Sequence, residues 1–236
     1  MKSLIVALDL PSAVEALELV DRLGEPADYY KVGAQLFTSA GPALVRDLKE
    51  RGKRVFLDLK YHDIPHTVAR AVESAAALQV DMLTLHASGG TAMMKAAREA
   101  VGADGPTLVG VTLLTSFTAT DVEELWDKQL RSLREEVARL AGIAAQAGLD
   151  GVVSSALEVE ALKRRHGSAF VVVTPGIRPA GEAAEDQVRT ATPTDAVRAG
   201  ADYLVIGRPI YAAPDPPAVY EQIADEIAVA DGAGDE

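Results

Sequence analysis

The stretch FLDLKYHDIPHTV, residues 56–68, gathers Asp58, Lys60 and Asp63 behind an apolar run. Read as the end of a strand, it puts Asp58 and Lys60 on one face, because alternate strand side chains point the same way. A buried carboxylate and ammonium are expensive to desolvate, and apolar residues often serve stability as well. Such a pair therefore suggests charges that face a ligand. Three further ionisable groups sit where other strands should end: Asp9 after LIVAL, Lys31 in YYKVG and His86 in MLTLH. Late in the chain, TPGIRPAGEAAEDQVR (174–189) carries Arg178, Gln187 and Arg189, and VIGRPI (205–210) carries Gly207 and Arg208. Glycine lets backbone N–H groups approach an anion, and arginine gives permanent, bidentate contacts to phosphate oxygens. The two groups together suit a small phosphorylated metabolite.

The elements that must position these residues alternate strictly. Strands are predicted at 4–9, 29–33, 54–60, 82–87, 108–115, 151–154, 170–176 and 203–207, with amphipathic helical patterns between them. The span 121–148 is long enough for two helices, and Ser12 with Glu15 has the S-x-x-E capping pattern ahead of ALELV. Strand–helix alternation implies a parallel sheet, and about eight units in this length suit a closed (β/α)₈ barrel in a single domain. No linker or shift in composition divides the chain. Residues 1–230 are expected to form the barrel and 231–236 a frayed tail. In such a barrel, strand C-termini converge on one mouth and the loops after strands seven and eight commonly bind phosphate. Asp9, Lys31, Asp58 and Lys60 should meet there. Taken singly, each has a plainer reading: Asp63 as the cap of a helix starting near Pro65, Lys31 as a paired or snorkelling lysine, and His62, His66 and His86 as loop or core residues.

Composition narrows the classes. Of 236 residues, 48% are hydrophobic and 25% charged, which is ordinary for a soluble globular protein. A formal net charge of −12 opposes nucleic acid or an anionic membrane as partner, so an anionic ligand needs locally concentrated cations. There is no cysteine, hence no disulfide framework and no thiolate chemistry. No apolar run is long enough to span a bilayer, and MKSLIVALDLPS reads as a first strand rather than a leader. Cytoplasmic residence is the expectation.

The residues 58–67, DLKYHDIPHT, match the D-x-K-x-x-D-I-P-x-T signature of the orotidine 5′-phosphate decarboxylase family, and the chain resembles that family's bacterial pyrimidine-biosynthesis form. KVG (31–33), LTS (114–116), TPGIRP (174–179), Gln187 and IGRP (206–209) follow in the family's order. The resemblance implies loss of CO₂ from orotidine 5′-monophosphate to give uridine 5′-monophosphate, with neither metal nor organic cofactor. It implies that Lys60 donates the proton and that Asp58 lies beside the substrate carboxylate. Lys31 and Asp63 would complete a Lys-Asp-Lys-Asp array. It further implies a homodimer in which Asp63, Ile64 and Thr67 reach the neighbouring subunit's site. Asp9 and Lys31 would contact the ribose, Thr115 the pyrimidine, and Arg178, Gln187, Gly207 and Arg208 the phosphate side, with 177–189 as a closing lid. His66 departs from the family's usual Asn after the signature proline, which puts the local inter-subunit hydrogen bonding in question. Two alternatives stay open. One is a Mg²⁺-dependent phosphosugar decarboxylase or aldolase of the same suprafamily, which typically has Glu where this chain has Lys31. The other is a non-catalytic phosphometabolite-binding barrel.

Overall fold

The computed structural model describes residues 2–179 and 190–232. The strands are β1 (Ser3–Ala7), β2 (Tyr29–Gly33), β3 (Arg54–Tyr61), β4 (Met82–His86), β5 (Thr107–Val111), β6 (Gly151–Val153), β7 (Val171–Thr174) and β8 (Tyr203–Ile206). Each pairs in parallel with the next, and β8 pairs with β1, closing the barrel. The helices between are α1 (Ala13–Leu23), α2 (Ala34–Glu50), α3 (Pro65–Ala76), α4 (Gly90–Val101), α5 (Ala119–Trp126), α6 (Leu133–Gln146), α7 (Ala156–His166), α8 (Pro193–Arg198), the single turn α9 (Arg208–Tyr211) and α10 (Pro216–Gly232). The expected (β/α)₈ architecture is borne out.

The two-residue period of the strands divides the core. Ile5, Ala7, Tyr29, Phe56, Met82, Val109, Val173 and Val205 fill the barrel's interior. Residues of the opposite parity, such as Val6, Tyr30, Leu57, Leu83 and Leu204, pack outward beneath the helices. This is the layered filling that makes such a barrel a packed core rather than a pore. Helix starts follow the local chemistry. Ser12 accepts from the Glu15 amide ahead of α1, Thr118 and Asp121 form a reciprocal capping box on α5, and Ser132 accepts from the Glu135 amide on α6. The span 121–148 thus divides into two helical pieces, as expected.

Several boundaries differ from the sequence reading. β1 stops at Ala7, so Asp9 lies two residues beyond the strand; the last bond there is Leu8 N–H to Lys31 O at 3.0 Å. β5 stops at Val111, which leaves Thr115 in the following loop. α2 begins at Ala34 and continues through a kink at Gly41 (φ 65°). Apolar character continued past these strands because the loops line a cavity, not because the ladder persists. At the other end α10 runs to Gly232, so residues 231 and 232 of the expected tail are helical; 233–236 lie outside the described residues.

Candidate active site

At the C-terminal end of the barrel lies a cavity of about 300 Å³. Its floor is apolar, from Ala7, Phe56, Val111, Val153, Val173 and Val205, and its rim carries the charges. Lys31 and Asp58 share the parity of the interior residues Tyr29 and Phe56, which is why they project into the mouth. The Lys31 ammonium donates to Asp9 Oδ1 at 2.7 Å and stands 3.8 Å from Asp58 Oδ2. Lys60 Nζ donates to the same Asp58 oxygen at 2.8 Å. The Lys31 and Asp58 side chains are 11% and 12% exposed, whereas Lys60 is 37% exposed. A shielded carboxylate therefore orients two cations, one of which reaches into the opening.

The approach of these groups depends on two glycines. A Cβ on Gly33 would stand 3.1 Å from Lys31 Nζ, and one on Gly207 would press on Ala7 while coming within 3.4 Å of Asp9 Oδ2. Opposite the charged array, the loops after β5, β7 and β8 bring Leu113, Thr115, Ser116, Pro175, Gly176, Arg178, Gly207, Arg208 and Tyr211 to the same cavity. Arg178 Nη1 donates to Ile177 O at 3.0 Å, and its amide donates to Ala191 O at the same distance, so the root of that loop is tied down. One face of the cavity is thus cationic and carboxylate-braced, the floor is apolar and the far rim carries two arginines. A flat apolar ring, a charged group beside it and a distant phosphate would each find a matching wall.

The model of the orotidine 5′-phosphate decarboxylase / HUMPS family matches residues 2–223. The chain belongs to that family. A relative named orotidine 5′-phosphate decarboxylase from Moorella thermoacetica is 52% identical, covering 95% of this chain and 91% of its own. Another of that name, from Halorhodospira halophila, is 53% identical over 96% of each chain. Among solved structures, orotidine 5′-phosphate decarboxylase from Lactobacillus acidophilus superposes with a TM-score of 0.85 at 38% identity, covering 96% of this chain and 99% of that one.

Of the residues singled out from the family resemblance, the structure brings Asp9, Lys31, Asp58, Lys60, Thr115, Arg178, Gly207 and Arg208 to one cavity. Asp63, Ile64 and Thr67 do not line it. They belong to a wholly exposed run, His62–Thr67, at the start of α3. Asp63 accepts from the Ile64 amide at 2.6 Å and forms no ion pair with Lys31 or Lys60 among the described residues. It is not the helix cap: Ile64 holds that position, without a side-chain bond. Gln187, and the part of the expected lid from 180 to 189, lie outside the described residues.

Two contacts were not read from the sequence. His86, at the end of β4, stacks at 5.4 Å on His62, and its ring is pushed below the ordinary histidine range. Burial is the main cause, followed by His62 and Lys60, with Asp58 opposing. The other is Thr84, fully buried, whose hydroxyl donates to Asp58 Oδ1 at 2.9 Å. Its place two residues after the interior Met82 was the available signal.

Proposed function

We propose that this protein converts orotidine 5′-monophosphate to uridine 5′-monophosphate and CO₂, as a step of pyrimidine nucleotide synthesis in the cytoplasm, without metal or organic cofactor. One observation carries the reading: the Lys60 ammonium, held at 2.8 Å by a shielded carboxylate, at the opening of a cavity with an apolar floor. Breaking the bond from the ring to its carboxylate leaves an electron pair on a ring carbon with no adjacent carbonyl to absorb it. With no cofactor as electron sink, the charge must be met by groups fixed in advance. Lys60 supplies the cation, and then transfers its proton to that carbon as CO₂ departs; solvent restores the lysine. An arginine would hold its proton too firmly for this step.

Asp58 holds Lys60 in place and lies beside the departing carboxylate. Lys31 and Asp9, paired at 2.7 Å, face the ribose hydroxyls. Thr115 faces the pyrimidine, and Arg178, Gln187, Gly207 and Arg208 take the phosphate, with 177–189 closing over it. Phosphate binding far from the reacting bond can still lower the barrier by fixing the ring against Lys60.

The active unit is a homodimer in this reading. Ile64 is 66% exposed within an exposed run, beside a carboxylate with no cationic partner among the described residues. Packed against a second copy, Asp63, Ile64 and Thr67 would complete that copy's array. The Mg²⁺-dependent alternative is disfavoured by Lys31, whose ammonium already bridges Asp9 and Asp58, the carboxylates a metal would need.

The test is to mix purified protein with orotidine 5′-monophosphate in excess chelator and follow the ultraviolet spectrum. Conversion is expected, and none from Lys60→Ala. An unchanged spectrum with the unaltered protein would overturn the reading, and activity restored only by Mg²⁺ would favour the metal-dependent relatives.

A further inference from the structure

The geometry points to Thr84 as a positioning residue for the Asp58–Lys60 pair, an inference that rests on the decarboxylase reading above. β3 and β4 run in register at Leu57↔Leu83, yet the next pairing is Tyr61↔Leu85. Four steps along β3 therefore face two along β4. The surplus falls on Asp58, Leu59 and Lys60, and Thr84 alone stands opposite them. Bulges of this kind re-aim side chains beside active sites. Here the cost is visible: Lys60 has φ 52°, a left-handed conformation disfavoured for a residue with a Cβ.

Thr84 answers both consequences of the bulge with a single hydroxyl. Its Oγ1 accepts the Lys60 amide N–H at 2.8 Å, and its own hydrogen goes to Asp58 Oδ1 at 2.9 Å. A hydroxyl has one donor and two acceptor sites, so both bonds can be held together. With Oδ1 engaged, the Asp58 carboxylate cannot rotate freely. Oδ2 is left facing Lys60 Nζ at 2.8 Å and Lys31 Nζ at 3.8 Å. Thr84 itself is fully buried and does not line the cavity, so it acts through its neighbours rather than on the substrate. Valine has the same shape and can make neither bond. It would leave a buried amide and a carboxylate oxygen facing a methyl group, free to settle in another arrangement.

The experiment compares Thr84→Val, Thr84→Ala and Thr84→Ser with the unaltered enzyme, reading kcat and KM separately alongside a thermal melt. Displacing the ammonium by a fraction of an ångström should lower kcat of Thr84→Val roughly 10- to 100-fold while KM stays within about threefold. Thr84→Ser, which keeps the hydroxyl, should remain within about threefold of the unaltered enzyme in kcat. If Thr84→Val does not fold, the Thr84→Ala and Thr84→Ser pair decides the same point. The inference is overturned if the hydroxyl-free variants keep normal kcat, if the loss appears in KM alone, or if serine fails to rescue. An unaltered enzyme that gave no turnover would instead defeat the decarboxylase reading itself.

Discussion

Ion pairs stand at both ends of the barrel, and they are built to different ends. At the foot, Asp81, Asp150 and Asp202 immediately precede β4, β6 and β8. Each carboxylate accepts a backbone N–H from the strand before it, Val55, Leu108 and Val172 respectively, all at 2.7 Å. Each also takes a cation from the helix leading into that strand: Lys49 at 2.7 Å, Arg98, and Lys163 at 2.6 Å. Lys163 is saturated, since it also donates to Ser168 O and Phe170 O. Arg54 stacked on Tyr29 at 4.3 Å, with Tyr203 edge-on to the same ring, closes the floor. At the mouth, by contrast, Lys60 gives one of its three protons to Asp58 and the ammonium opens on the cavity. The same two residue types serve as a staple at Lys163, where every donor is used, and stand ready as a reagent at Lys60, where donors are left over.

The sharpest way to break this comparison is Lys60→Ala. If Lys60 meets the carbanion and supplies its proton, as proposed, its removal should lower kcat by about 10⁴-fold or more. The melting temperature should hardly change, since a half-exposed lysine whose ammonium opens on a cavity contributes little to folding. A variant that lost stability in step with activity would make the mouth another staple. Arg208→Ala comes next. It tests whether the far rim belongs to the working end, and kcat/KM should fall about 100-fold, because a substrate held loosely at one end is misplaced at the other. Full kcat/KM in this variant would remove the phosphate side from the mechanism.

At the foot the expectation reverses. Asp202→Ala strands the Val172 amide and leaves Lys163 without its carboxylate. A loss of about 2 kcal/mol, or roughly 4–8 °C in Tm, should accompany a kcat within twofold of the unaltered enzyme. Differential scanning calorimetry and steady-state kinetics on one preparation read both. A foot variant that impaired kcat without lowering Tm would erase the distinction.

How far this division was legible in the sequence depended on the kind of information each part uses. Parity and spacing put Asp58, Lys60, Lys31 and Asp9 at one end, because strand alternation is a local rule and the barrel's closure follows from strand–helix order. Arg178, Gly207 and Arg208 were placed by the loops they occupy. The bulge in β3 was not legible. No glycine marks it, and Thr84, which accepts the amide of the left-handed Lys60, lies on another strand. The staples at the foot were missed for the same reason. An aspartate before Met82, Gly151 or Tyr203 looks like a turn residue until the neighbouring strand's N–H is in view. Asp63 remained ambiguous for a different reason: it lies in an exposed run and pairs with neither Lys31 nor Lys60 among the described residues.

The smallest effect concerns protons, and it too has a member at each end. His86 at the mouth and His166 at the foot both have rings pushed below the usual histidine value, in each case mainly by burial. His62 and Lys60 add to the effect at the mouth, and Arg165 adds to it at the foot. In addition, His166 Nε2 is buried without a hydrogen-bond partner among the described residues. When pH falls through about 6.5, the unfolded chain takes up these protons before the folded one. Stability is then full above that value and declines as pH drops toward and through the depressed folded values. Urea melts at pH 7.5 and pH 5 should show the decline, and His166→Leu should flatten part of it without touching turnover, because the foot holds no reacting group. His86→Gln should flatten the remainder. A stability curve already flat between pH 7.5 and pH 5 would mean that folding leaves these two rings at their ordinary value.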